Sequence, residues 1–346
     1  MLDFTVQELL AVKFNRLPVA LYDAFPPVLF GRALVLSSRL GLFESLSGSP
    51  QSIPELSRKL ALPAKSVELL VLALESRDYV RKRGDRFTLA PQAQKWLVRS
   101  SPFYMGNFLA YTGILHSHWA SLEETLLQGR PASTYVERFT EDEWRTYTLA
   151  MMELARLIVP HLRTRLSVPR GARTLLDVCG SHGLYAIEMC KRHPDLSAVI
   201  ADFPEVLKTT RTIVSAHNLQ DRITLFPCDV TRTTFGVEQF DVVFAFNIVH
   251  GFDADANRKF VSTLASTMKK GGALYILDQL KGGRSMGASR MLPLMVGLNL
   301  MNEIGGTVYT FEEIRSWCEE MNLTGVRQRR LAIPRVSLVS ARKSPR

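Results

Sequence analysis

The chain has 346 residues, 46% of them apolar, and carries a net charge of +10 from 43 basic and 33 acidic side chains. That length suits about two domains, each able to bury a core, and no unbroken apolar run approaches the roughly 18 residues of a membrane span. The start, "MLDFTVQELLAVKFNRLPV", lacks the basic-then-apolar order of a signal peptide. Cys179, Cys190, Cys228 and Cys318 show no metal-ligand spacing. They read as free thiols in a reducing cytoplasm, with no membrane association and no bound metal expected.

Residues 1 to about 165 read as helices around one short strand pair. "FGRALVLSSRLGLFESL" has apolar residues at helical spacing, and Ser52 with Glu55 forms a capping box. "SIPELSRKL", a break at Ala61–Pro63, and "AKSVELLVLALE" make a helix-turn-helix pattern. "DYVRKRGDRFTL" follows as a hairpin turning at Gly84-Asp85, and helices followed by such a hairpin make a winged helix. The basic wing of Arg81, Lys82, Arg83 and Arg86 favours DNA. The second helix argues against it, because it offers one cation, Lys65, against Glu68 and Glu75. A groove-reading helix needs several polar or basic residues on its exposed face. The helix reads instead as buried on most sides, in a packing or dimerisation element, and nucleic acid is not the partner expected.

From about residue 168 strands and helices alternate. "RTLLDV", "LSAVIAD", "RITLFPCD", "FDVVFAF" and "GGALYILD" read as apolar strands. "GLYAIEMCKRH", "FPEVLKTTRTIVSAHN" and "NRKFVSTLASTMK" read as the helices between them. This predicts an α/β, doubly wound, Rossmann-like parallel sheet. Ligands bind such sheets outside the carboxyl ends of the strands. The domain division expected is 1–165 and 166–346.

The stretch "LLDVCGSHGL" runs from the first of these strands into a helix. Gly180 and Gly183 stand in its loop, and Asp202 follows Gly183 by 19 residues at the end of the next strand. A carboxylate at that spacing can receive ribose hydroxyls. The loop is not the G-x-G-x-x-G of dinucleotide sites. Asp177 can also be read as a strand-end cap, and Asp202 as a helix cap.

With these residues the chain resembles the class I S-adenosylmethionine-dependent methyltransferases, in particular the two-domain small-molecule O-methyltransferases related to caffeate and polyketide enzymes. The resemblance spans the winged-helix half, "GSHGL", "ADFPEV", "CDV", "FNIVHGFDADAN" and "KKGGALYILD". It implies S-adenosylmethionine as cofactor and a dimerising, substrate-capping N-terminal half, hence a homodimer. It places Asp177 and the Gly180–Gly183 backbone around the methionine portion. Asp202 then takes the ribose with Phe203 beside it, Asp229 and Val230 flank the adenine, and Asn247 completes the cofactor set. Cys179 and Ser181 stand where the family pattern has glycines. As small residues they leave the backbone able to approach a ligand, provided neither position needs φ > 0.

Methylating a phenol or alcohol requires alignment of the acceptor and removal of its proton. His250, just past the strand "FDVVFAFNIV", matches the family's catalytic histidine, and Asp278 stands where a carboxylate would orient it. A second carboxylate is expected at Val308 and is missing, Glu303 is off register, and Gly251 replaces a usual acid. Tyr111, Leu115, His116, Met151, Met152 and Met301 are candidates for the acceptor lining, although a methionine stripe is equally a plain core. His182 reads as structural. The soft apolar lining suggests a flat aromatic or polycyclic acceptor. Rival readings are C- or N-methylation or a non-methylating use of the same cofactor, a regulatory pseudo-enzyme, and a winged-helix nucleic-acid-binding protein. The segment Phe246-Asn247-Ile248-Val249 lacks the prolines of base-amino methyltransferases. Asn247, Asp253 and Asp278 do not form a convincing metal cluster for a catechol-type reaction.

Overall fold

The computed structural model describes residues 5–282, 288–331 and 336–345. The chain folds as two compact units, Met1–Gly113 and Ile114–Arg346. The helical stretch after residue 113 therefore belongs to the unit that carries the large sheet.

In the first unit, Ser52 starts the helix Ile53–Leu60 and its amide donates to the Glu55 carboxylate at 2.7 Å, as a capping box requires. That helix and Ala64–Glu75 pack with Leu42–Ser47 around Leu42, Phe43, Leu56, Val67, Val71 and Leu74. Three short strands, β1 (Gln51–Ser52), β2 (Val80–Arg83) and β3 (Arg86–Leu89), form an antiparallel sheet in the order β1-β3-β2. Gly84 takes φ +64° at the hairpin turn, where a side chain would be strained. Two expectations change here. The helix Ala64–Glu75 buries only one side, since Leu69 is 61% and Leu72 42% exposed. The helix Val19–Arg39 is long and apolar enough to cross a membrane by length and composition, with mean hydropathy 1.4. Asp23, Pro26, Pro27 and Arg32 interrupt it, so no unbroken run announces it in the sequence.

The second unit is built on seven strands: β4 (Thr174–Val178), β5 (Ser197–Asp202), β6 (Ile223–Pro227), β7 (Phe240–Phe246), β8 (Met268–Gln279), β9 (Leu323–Arg330) and β10 (Val336–Lys343). Their order is β6-β5-β4-β7-β8-β10-β9. Strands β4 to β8 are parallel, and β10 runs antiparallel to both β8 and β9. The last two strands are an antiparallel edge that the alternating pattern did not signal. Both faces are apolar. Leu175, Val242, Phe244 and Tyr275 join one core, while Leu176, Val243, Ala245 and Ile276 join the other. Parallel strands covered on both sides need this composition.

The chain order reverses between β4 and β7. From β4 it proceeds outward through β5 and β6, and from β7 in the opposite direction to β8. This switch point lies between β4 and β7, and ligands of such sheets bind outside the carboxyl ends of the strands there.

Candidate active site

Three hydrogen bonds continue the ladder past the strand ends. Cys179 N donates to Ala201 O at 2.8 Å, Cys228 N to Asp202 O at 2.9 Å, and Asn247 N to Leu277 O at 2.7 Å. They bring residues 177–183, 202–203, 228–230, 247–250 and 277–279 into one row along the edge. The residues expected for cofactor and catalysis thus share one side of the sheet.

Asp177 is fully buried; the Ala186 amide approaches its carboxylate, but neither oxygen makes a hydrogen bond of full geometry among the described residues. Burial pushes its carboxyl up to about 8, with the charge of Asp202 adding to the rise and the Ala186 amide opposing it. Gly180 packs against it: a Cβ there would lie 2.7 Å from Asp177 Cγ and 2.9 Å from Ile200 Cγ2. Glycine at 180 is fixed by this close approach. Gly183 has φ +69° and would also meet Ile200, at 2.7 Å.

Asp202 is 7% exposed and accepts from the Ser181 amide at 2.9 Å and the Phe203 amide at 2.8 Å. Desolvation still raises it to about 6 against the pull of those two amides. Cys179 has φ 53° and Ser181 φ 41°. The condition on which those substitutions were harmless is therefore not met, because both positions adopt the left-handed region that glycine enters freely. The loop keeps its shape because Asp202 and Thr210 bond the main chain of Ser181. Ser181 Oγ is itself buried without a hydrogen-bond partner among the described residues. Burial, with the charge of Asp202, holds the Cys179 thiol well above its usual range, so it stays neutral.

Val230 is buried, and Asp229 accepts from the Thr231 amide at 2.9 Å, which fixes the turn after β6. Phe203 caps the helix Pro204–Ala216 and lies 6.2 Å from Trp144, ring to ring. His182 is buried; its Nδ1 accepts from the Leu184 amide at 2.9 Å and desolvation lowers it to about 3. It is a neutral loop brace, as expected.

His250 lies across the switch point from this loop. Its Nδ1 is 2.7 Å from Asp278 Oδ1, and its amide donates to Oδ2 at 3.4 Å. Asp278 is 1% exposed and also accepts from the Gln279 amide. The loop is braced from several directions. Asn257 donates to Val249 O, Tyr309 Oη to Phe252 O, and Thr307 N to His250 O at 2.9 Å. Gly306 has to be glycine, since a Cβ would lie 2.2 Å from His250 O. Asn247, with φ 52°, is exposed at the start of the loop.

Val308, at the expected second-carboxylate position, is 4% exposed. Glu303 is 2% exposed and turns to His118 and Arg138, at 2.8 and 3.1 Å, instead of to His250. This pairing has no sequence signal, since its members lie 185 and 165 positions apart. Of the acceptor candidates, Leu115, Met151, Met152 and Met301 are half-buried in the second unit, Met152 against the core, and His116 is exposed. Tyr111 is buried and lies in the first unit. No group of three or more potential metal ligands occurs among the described residues.

The fold and this edge define a Rossmann-like methyltransferase. The buried Asp177 carboxylate and Ser181 Oγ, the close-packed Gly180 and the Asp202 carboxylate suit the amino-acid and ribose ends of S-adenosylmethionine. Residues 120–321 match the O-methyltransferase domain family. The chain belongs to that family and is an S-adenosylmethionine-dependent O-methyltransferase. It is 24% identical over 330 residues to a 3-hydroxy-5-methyl-1-naphthoate 3-O-methyltransferase of Streptomyces sahachiroi, covering 92% of each chain. It is 28% identical over 262 residues to a 3-amino-4-hydroxybenzoate 4-O-methyltransferase of Streptomyces cremeus, covering 72% of this chain and 70% of that one. Among solved structures, an O-methyltransferase family protein from Burkholderia thailandensis superposes with TM-score 0.81 at 25% identity, covering 99% of each chain.

Proposed function

We propose that the chain methylates a phenolic hydroxyl of a small aromatic or polycyclic metabolite, with His250 as general base. The observation that carries this is the His250–Asp278 pair, 2.7 Å apart at the switch point beside the cofactor loop. Asp278 accepts a hydrogen bond from Nδ1–H, which leaves the Nε2 lone pair to take the acceptor's proton. No cation pairs with Asp278 among the described residues. A phenol of pKa about 10 is mostly protonated at neutral pH, so such a base contributes roughly 10²–10⁴-fold. When bound, S-adenosylmethionine supplies the activated methyl. Asp177 holds its amino-acid end, the Gly180–Gly183 backbone lies along it, Asp202 holds the ribose, and Asp229 and Val230 border the adenine.

The relatives' named acceptors, a hydroxynaphthoate and a hydroxybenzoate, support an aromatic acceptor here. Leu115, Met151, Met152 and Met301 give it a soft lining. Hydroxylated arenes incubated with the protein and labelled S-adenosylmethionine should become O-methylated. Label appearing only on carbon or nitrogen would overturn the assignment.

Residues 1–165 serve assembly and cap the acceptor in this reading, and 166–346 hold the cofactor. Val6, Leu9, Leu10, Phe14, Leu21, Phe25, Val28 and Leu29 are each at least 49% exposed, a run of exposed apolar side chains along the first two helices. A second copy of the chain covers it, giving a two-fold dimer. Scattering at micromolar concentration should show the dimer mass without lipid. A monomer that sediments with vesicles would refute it.

A further inference from the structure

The second unit holds two histidine–carboxylate pairs of the same design. In each, Nδ1 faces a carboxylate that is nearly out of solvent: His250 with Asp278 at 2.7 Å, and His118 with Glu303 at 2.8 Å. They are joined through one short segment. Glu303 stands in the last turn of the helix Ala288–Ile304, Ile304 lies against Gly251, and Thr307 N donates to His250 O. From His118 an aromatic wall leads back to the cofactor loop. Its ring lies 5.6 Å from Phe139, Phe139 lies 5.2 Å from Trp144, and Trp144 lies 6.2 Å from Phe203.

The pairs differ in charge. Arg138 Nη2 donates to the same Glu303 oxygen that faces His118, at 3.1 Å. Asn302 donates to the other oxygen at 3.3 Å and is held in turn by Thr125. The guanidinium balances the charge of Glu303, whereas no cation pairs with Asp278 among the described residues. A carboxylate facing Nδ1 selects the tautomer with the hydrogen on Nδ1, which leaves His118 Nε2 as an acceptor, and Nε2 makes no hydrogen bond among the described residues.

We propose that His118, oriented by Glu303 and Arg138, is a specificity-determining residue that accepts a hydrogen bond from a second polar group of the methyl acceptor, a further phenolic hydroxyl or an aryl amine. This rests on the aromatic-acceptor reading and narrows it to arenes with a donor besides the hydroxyl that is methylated. A monohydroxylated arene leaves Nε2 without its partner.

The test compares 1-naphthol with 1,3-, 1,5-, 1,8- and 2,7-dihydroxynaphthalene and with 5-amino-1-naphthol, by calorimetry in the presence of S-adenosylhomocysteine. At least one two-donor arene should bind about five- to tenfold tighter than 1-naphthol, the worth of one hydrogen bond. His118→Asn keeps an amide donor toward Glu303 and has nothing at the Nε2 position. It should erase that advantage and leave 1-naphthol binding and the melting temperature unchanged, whereas a merely structural pin would weaken all the arenes together. Equal binding of one- and two-donor arenes by the native protein overturns the proposal, as does a uniform loss in His118→Asn. If no arene binds while S-adenosylhomocysteine still does, the aromatic-acceptor reading falls, and this proposal with it.

Discussion

The loops after β4 and β7 flank one switch point and are held in opposite ways. The β4 loop is made of main chain. Its shape comes from a glycine pressed on Asp177, two non-glycine residues at positive φ, and bonds to its neighbour β5 and the following helix. The β7 loop presents a side chain, and residues 257, 278, 307 and 309 hold it in place. A loop that wraps a ligand with its backbone fails by losing affinity. A loop that aims one imidazole fails by losing rate.

The largest expected effect is on the β7 side. His250→Ala should lower kcat by roughly 10²–10⁴-fold and leave S-adenosylhomocysteine affinity unchanged in calorimetry. Raising the pH toward the acceptor's own pKa should recover part of the rate, because the phenolate then forms unaided. A variant with full activity at neutral pH would show that alignment alone drives transfer. Asp278→Asn should cost less, since in the proposed mechanism it orients the ring and does not take the proton.

On the β4 side the reverse pattern is expected. Asp202→Ala should weaken S-adenosylhomocysteine by about ten- to a hundredfold, the loss of a charged hydrogen-bond acceptor, and remove most of the ligand-induced rise in melting temperature. Gly180→Ala should act in the same direction, because its methyl would displace Asp177 or Ile200. Equal kcat loss in His250→Ala and Asp202→Ala at saturating cofactor would erase the distinction between the loops.

Asp177 adds a pH dependence of intermediate size. Its carboxyl is raised to about 8 in the free protein, so it is neutral below that. The stability it contributes is complete below the unfolded value near 4 and is lost as pH rises through about 8. A bound ammonium group favours the ionised form, so ligand binding expels a proton. S-adenosylhomocysteine should therefore bind more tightly with rising pH, by at most about tenfold per unit between roughly 6 and 8, and level off above. Asp202, near 6, contributes at the lower end of that window. Asp177→Asn should flatten the profile, and calorimetry in two buffers of different ionisation enthalpy should count the proton.

The smallest effect concerns the strained positions. Cys179→Gly with Ser181→Gly should stabilise the free protein by about 1 kcal/mol, since relief of positive φ outweighs the added chain entropy. For a chain this long that is a rise in melting temperature of only a few degrees, roughly 1–3 °C. A lower melting temperature would mean that the two side chains contribute packing beyond their strain.

Much of this site could be read along the chain. Asp177, Gly180, Gly183 and Asp202 lie within 26 consecutive residues, because a strand, a loop, a helix and the next parallel strand form one contiguous unit whose periodicity and glycines are local. His250 and Asp278 end neighbouring parallel strands, so the strand pattern brings them to the same edge. The sequence by itself determined the parallel sheet, the edge where the candidate site gathers and the histidine placed there. Only the tertiary structure decided that Cys179 and Ser181 sit at positive φ, that β9 and β10 close the sheet antiparallel, and that Glu303 faces His118 and Arg138 and leaves His250 to Asp278. Those outcomes depend on which distant groups share a buried volume and whose charge is already balanced there, and neither periodicity nor spacing along the chain carries that information.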